Sequence, residues 1–175
     1  MPRYTVEDLE QLPDDGNRYE LLDGVLLVTP SPSFAHQLIA SRIHGAFLTG
    51  VQAPGHGYVL GPGVVVQHPK TQLQPDILVI PSRFSPKADW KNLTEHWLAV
   101  EVLSRSSRTY DRKFKRDAYL ALGVSEVWLV DGREKSVEIS RALGYSEMRT
   151  DTLEWVAPVQ GVRVVIELED LFLGV

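Results

Sequence analysis

Hydrophobic positions alternate, cluster or recur at helical spacing in different parts of the chain, and each pattern predicts an element. Thr5-Val6-Glu7-Asp8 has the form of a capping box, which predicts a short helix from about Val6 to Leu12. After a turn over Pro13 to Asn17, the run Tyr19 to Val28 reads as a hairpin with Asp23-Gly24 as a type I′ turn. Thr29 to Ser33 is a Pro/Ser linker that supplies an N-cap. From Phe34 to about Val51, Leu38, Ile39, Ile43, Ala46 and Phe47 then recur at helical spacing. That helix also carries His36 and His44. Short strands are expected at Tyr58-Val59-Leu60 and Val64-Val65-Val66, with a loop from Pro69 to Leu73.

Two segments, Asp76 to Ile80 and Trp97 to Leu103, are apolar on both faces, which suits a central sheet covered by helices on each side. The segment Arg105 to Tyr110 leads into a helix ending near Leu122-Gly123, with the glycine as its cap. Glu126 to Val130 is a further apolar strand, ended by Asp131-Gly132. Ser136 to Ser140, Tyr145 to Arg149, Trp155-Val156 and Val162 to Ile166 read as antiparallel ribbon, and Asp170-Leu171-Phe172 as a closing helical turn. No internal repeat, low-complexity tract or domain boundary interrupts the pattern, so residues 1–175 are expected to form one α/β domain.

Composition narrows the function classes. With no cysteine there is no disulfide, thiol nucleophile or zinc–thiolate site, which points to a cytoplasmic protein. No apolar run approaches the ~20 residues that span a bilayer, and the N-terminus has no basic-then-apolar signal pattern. The net charge of −5 argues against a general nucleic-acid coat but leaves room for a local basic patch. Arg105, Arg108, Arg112, Lys113, Lys115 and Arg116 supply such a run, readable as a phosphate-contact surface or simply as a solvated helix face.

The candidate chemistry lies between Gln74 and Tyr119. Asp76 opens the first buried strand, and Glu101 lies within the second on the face of Trp97, Ala99 and Leu103. An ionised carboxylate in an apolar strand costs several kcal/mol unless a cation or hydrogen bonds compensate it. Two such acids near a lysine suggest a metal site, and hard oxygen ligands suit Mg²⁺ or Mn²⁺. On the following helix Phe114, Ala118, Ala121 and Leu122 form the expected apolar stripe. At about 100° per residue, Lys115 lies nearer its centre than Lys113 does. Asp76 as a turn cap, Glu101 paired with a buried arginine and Lys115 snorkelling to water are the plainer alternatives. Glu20 in its hairpin reads as an exposed strand residue, and His36 as an ordinary helix-surface histidine. A glycosidase pair of Glu20 and Glu101 would leave Asp76 unused.

A strand opening with Pro75-Asp76, a Glu101 in a second strand and a following lysine resemble the PD-(D/E)xK nuclease superfamily, with its restriction-endonuclease-like fold. More closely, Tyr19-Glu20-Leu21-Leu22-Asp23-Gly24, Pro30-Ser31-Pro32 with His36, Gln74-Pro75-Asp76, Glu101-Val102-Leu103-Ser104, Asp111 with Lys115 and Tyr119, and Val127-Trp128-Leu129-Val130-Asp131 are similar to the Uma-type family of restriction-endonuclease-like proteins. The resemblance implies a central mixed β-sheet flanked by helices, Asp76 and Glu101 as ligands of Mg²⁺ or Mn²⁺, and DNA phosphodiester hydrolysis. Leu103 stands where the superfamily pattern has its lysine. In the Uma-type family that lysine sits on the following helix, which maps to Lys115. Glu20 matches a further family acid, an auxiliary catalytic acid that could be a third ligand, direct or through water, and His36 matches a family histidine that could bind phosphate or support Glu20. Arg108 and Arg112 of the basic run, with Tyr119, are further candidate phosphate or substrate contacts. The competing expectations are a non-catalytic nucleic-acid- or protein-binding module of the same fold, and a hydrolase of small phosphodiesters. The hairpin and the apolar ribbon offer sheet edges that could pair between subunits, so a homodimer or higher homo-oligomer is expected.

Overall fold

The computed structural model describes residues 3–104, 114–159 and 161–175. Thr5 and Asp8 form the expected capping box, Thr5 N–H donating to Asp8 Oδ2 at 2.7 Å, at the start of a single helical turn, α1 (Val6–Leu9). The hairpin follows as β1 (Arg18–Leu22) and β2 (Val25–Thr29). Asp23 and Gly24 have φ of 47° and 78°, the left-handed pair that a type I′ turn requires. Helix α2 (Phe34–Phe47) begins at Ser33, whose Oγ accepts the His36 N–H at 3.3 Å. It buries Ile39, Ile43 and Phe47, one residue per turn on one face. Beyond Phe47 the helix widens over Leu48–Gln52, where Ala53 N–H reaches Leu48 O at 2.8 Å, five residues back.

The remaining strands are β3 (Gly57–Leu60), β4 (Val65–Gln67), β5 (Thr71–Leu73), β6 (Ile77–Pro81), β7 (His96–Val102), β8 (Val124–Asp131), β9 (Ser136–Ala142), β10 (Tyr145–Arg149), β11 (Thr152–Val156) and β12 (Arg163–Glu167). The remaining helices are α3 (Arg116–Ala121) and α4 (Leu168–Leu171). Gly123, at φ 86°, ends α3 as expected. Among the described residues, the strands form a six-stranded sheet β10-β9-β8-β7-β6-β3, a four-stranded sheet β2-β1-β5-β4 and a β11-β12 ribbon. In the larger sheet β7 and β8 run parallel and the other neighbours antiparallel, so it is mixed. The parallel pair needs a crossover connection, and α3 lies within it.

Each face of this sheet is covered. On one side Ile43 and Phe47 of α2, Trp155 of β11 and Leu171 of α4 pack against Val100, Trp128 and Val130. On the other, Val65 and Leu73 of the smaller sheet and Tyr119 of α3 pack against Leu78, Ala99 and Leu129. Three expectations are corrected. The loop over Pro69 to Leu73 contains β5, because Thr71 and Leu73 gain burial by pairing with β4 and β1. Trp97 leaves the Glu101 face and packs in the α2-side cluster, its ring 6.3 Å from Trp155. Phe114 is 51% exposed and outside the apolar stripe, because the inward side of this segment is made by Lys115 and Tyr119.

Candidate active site

Register brings the two strand acids together. Ile77 of β6 lies opposite Val100 of β7, so Asp76 and Glu101 come next in line at one end of this pair. Both side chains are buried, and both line a cavity of about 590 Å³ with Arg18, His36, Ser104 and Lys115. Across the smaller sheet, Glu20 of β1 is fully buried. Its Oε1 accepts the Gln74 N–H at 2.8 Å, which ties β1 to the residues just before Asp76.

Lys115 is the joint between these parts. Its ammonium lies 2.6 Å from Glu20 Oε2 and 3.2 Å from Glu101 Oε1, and its side chain is 5% exposed. Tyr119, one helical turn further, donates its hydroxyl to the same Glu101 Oε1 at 2.6 Å. Burial and then the negative charges of Glu101 and Glu20 push the Tyr119 phenol well above its usual range, so it is a fixed donor. Tyr119, expected as a substrate or phosphate contact, is fully buried with its hydroxyl on Glu101.

Asp76 has its own set of partners. Oδ1 accepts from Arg18 Nη1 at 3.0 Å, while Oδ2 accepts the Val102 N–H at 2.8 Å and lies 3.2 Å from His36 Nε2. Burial opposes ionisation here, yet His36, Arg18 and the Val102 N–H together hold the carboxyl below the usual aspartate range. These contacts replace the turn-cap alternative with an anchor that ties β6 to β1, α2 and β7. His36 faces the cavity from α2, and its Nδ1 is buried with no hydrogen-bond partner among the described residues. Arg18 was not among the expected residues. It precedes Glu20 by two on a strand and so shares its face, a signal that was present in the sequence.

Asp76, Glu101, Lys115, Glu20 and His36 are thus brought together, with Tyr119 behind them, whereas Arg108 and Arg112 lie outside the described residues. Among the described residues no group of three or more His, Asp or Glu side chains is arranged to hold a metal ion. The donor chemistry nevertheless fits a hard divalent cation, because carboxylates from adjacent strands face one cavity. Among the described residues no helix is long and apolar enough to cross a membrane.

A family model described as "Putative restriction endonuclease", Uma2, matches residues 6–169. No curated protein matches the chain. Among solved structures, the chain is similar to a crystal structure described as a "putative nuclease belonging to DUF820" from Anabaena variabilis ATCC 29413. The TM-score is 0.80 at 19% identity, over 97% of each chain, which is a likeness of fold.

Proposed function

The chain belongs to the Uma2 family of restriction-endonuclease-like proteins, and on that premise we propose that it is a divalent-cation-dependent nuclease that hydrolyses DNA phosphodiester bonds. The observation that carries this reading is the convergence of Asp76, Glu101 and Lys115 on one cavity, with Glu20 closing the charge network behind them. Asp76 and Glu101 would hold Mg²⁺ or Mn²⁺, which when bound would lower the pKa of a water and neutralise phosphate charge. Lys115 is a cation that the chain places at the site beside Glu101, suited to orienting the attacking water and meeting negative charge on the phosphoryl oxygens. Glu20 and Tyr119 fix the Lys115–Glu101 pair from the protein side, and Arg18 with His36 fixes Asp76. The position of each group is therefore set before substrate arrives, which is how a site contributes orientation to catalysis.

The test is cleavage of DNA in Mg²⁺ or Mn²⁺, with chelator as control. Asp76→Ala and Glu101→Ala are each expected to abolish it, and cleavage that survives both substitutions would overturn the mechanism. A panel of duplex DNA, single-stranded DNA, RNA and small diesters assigns the substrate class. One observation favours a second reading, a non-catalytic binding module: each carboxylate already has a protein cation or hydrogen-bond donor beside it. Calorimetric titration that detects no Mg²⁺ or Mn²⁺ binding would favour the module. We also read the protein as a homodimer or higher homo-oligomer, because β2 and β10 end their sheets with Val28, Tyr145 and Met148 exposed. Sedimentation velocity showing only monomer would refute that.

A further inference from the structure

Arg18 and Asp76 do not line one cavity alone. They also wall a second, of about 310 Å³, whose other side is α2 through Gln37, Ser41 and His44, with Gly61 opposite. On α2 the positions Phe34, Gln37, Ser41 and His44 follow spacings of three and four, so they form one ridge. Gln37, Ser41 and His44 of the ridge line the second cavity, and Phe34 stands three residues before Gln37 at the head of the ridge, outside the lining of either cavity. This first residue, Phe34, is 83% exposed, a large apolar ring that no part of the described chain covers. The residues behind it, Gln37, Ser41 and His44, carry hydrogen-bonding side chains. The cation of the groove, Arg18, directs Nη1 to Gln74 O at 3.1 Å and to Asp76, while its Nη2 and Nε make no hydrogen bond to a described residue. Gly61 leaves this wall open: a Cβ there would stand 3.3 Å from the His44 ring.

An exposed aromatic ring at the head of the ridge, and a guanidinium with unused donors and hydrogen-bonding side chains in the groove behind it, match the parts of a nucleotide: base, phosphate, and sugar or base edge. From this we infer that the α2 ridge is a subsite for a nucleotide flanking the reacting phosphodiester. Its base stacks on Phe34, its phosphate meets the free Arg18 donors, and Gln37, Ser41 and His44 contact its sugar or base edge. The inference rests on the proposed nuclease reading. It adds that this site takes a polynucleotide and engages it beyond the reacting bond, on the α2 side. The shared wall gives Arg18 two duties, holding Asp76 toward the first cavity and a flanking phosphate toward the second.

The test is fluorescence anisotropy of a labelled DNA oligonucleotide with the full-length protein in chelator, where no cleavage competes. Phe34→Ala is expected to weaken binding by about 5- to 150-fold, the range for loss of one stacked base, and Phe34→Trp to restore it. The triple variant Gln37→Ala/Ser41→Ala/His44→Ala is expected to weaken binding as well, with the wild-type circular dichroism spectrum retained. If the wild-type protein binds DNA and both Phe34→Ala and the triple variant bind it equally well, the subsite is refuted while the nuclease reading stands. If the wild-type protein binds no DNA either in chelator or with Ca²⁺ in place of Mg²⁺, the subsite is refuted, and the cleavage assay decides the nuclease reading separately. A merely structural role for Phe34 would change melting temperature and leave anisotropy unmoved.

Discussion

Replacing Lys115 with methionine keeps the length and apolar stem of the side chain and removes only its charge. The ammonium stands 2.6 Å from Glu20 and 3.2 Å from Glu101, and all three side chains are at most 5% exposed. At an effective dielectric constant of about 20, each contact is worth roughly 5–6 kcal/mol of gross attraction. Desolvation offsets most of that in the native protein, but the variant keeps the desolvated carboxylates and loses the cation. Removing one partner of a buried pair costs about 3–5 kcal/mol. Glu20 would keep the Gln74 N–H and Glu101 the Tyr119 hydroxyl, which keeps the expectation within that range. For a chain of this length the loss corresponds to a melting point lower by about 6–20 °C. Urea denaturation of Lys115→Met, Glu20→Gln and the double variant measures it. Glu20→Gln removes one stranded charge, so the double variant should be more stable than the sum of the single costs implies, by about 1–3 kcal/mol. A cost for Lys115→Met below about 1 kcal/mol, as for an exposed pair, or strict additivity, would refute a closed buried network.

Tyr119→Phe removes the donor to Glu101 and is expected to cost about 1.5–3 kcal/mol by urea denaturation, the range for a hydrogen bond to a charged group. Because the folded Tyr119 phenol titrates well above its usual range, its contribution is complete below about pH 10 and is lost as pH rises; Tyr119→Phe should flatten that alkaline limb. At the other end of β7, burial lowers the pKa of His96 despite the opposing charge of Glu95. The unfolded chain therefore binds this proton first, so stability present above about pH 6.5 declines as pH falls, and His96→Phe should reduce the slope of melting temperature between neutral and mildly acidic pH. Asp76, held below the usual aspartate range, contributes stability above about pH 4 that is lost in stronger acid, and Asp76→Asn should remove that acid limb. Gly63→Ala would put a Cβ 2.2 Å from Leu78 Cβ, and overpacking of this kind is expected to cost about 1–3 kcal/mol or more in thermal unfolding.

Local patterns in the chain determined much of this architecture because the forces behind them act over a few residues. The paired positive φ of Asp23 and Gly24, the Ser33 cap, the Ile39–Ile43–Phe47 face and the Gly123 stop follow from turn chemistry and helical spacing. The two-sided apolar character of β6 and β7 marked them as central strands, so Asp76 and Glu101 stood out as acids in places where acids are costly. Tertiary structure decided which groups compensate them. Lys115 meets Glu20 across 95 residues of chain, and Arg18 meets Asp76 across 58; no periodicity reports separations of that size. The same long-range pairing made β5 a strand, left Phe114 outside the stripe assigned to it, and made Tyr119 the buried donor to Glu101. The sequence by itself placed charged residues where burial demanded partners. Only the register of β6 against β7 and the docking of α3 and β1 beside them set which partners those residues received, because a buried charge is stabilised by whatever ion the fold brings within hydrogen-bond reach.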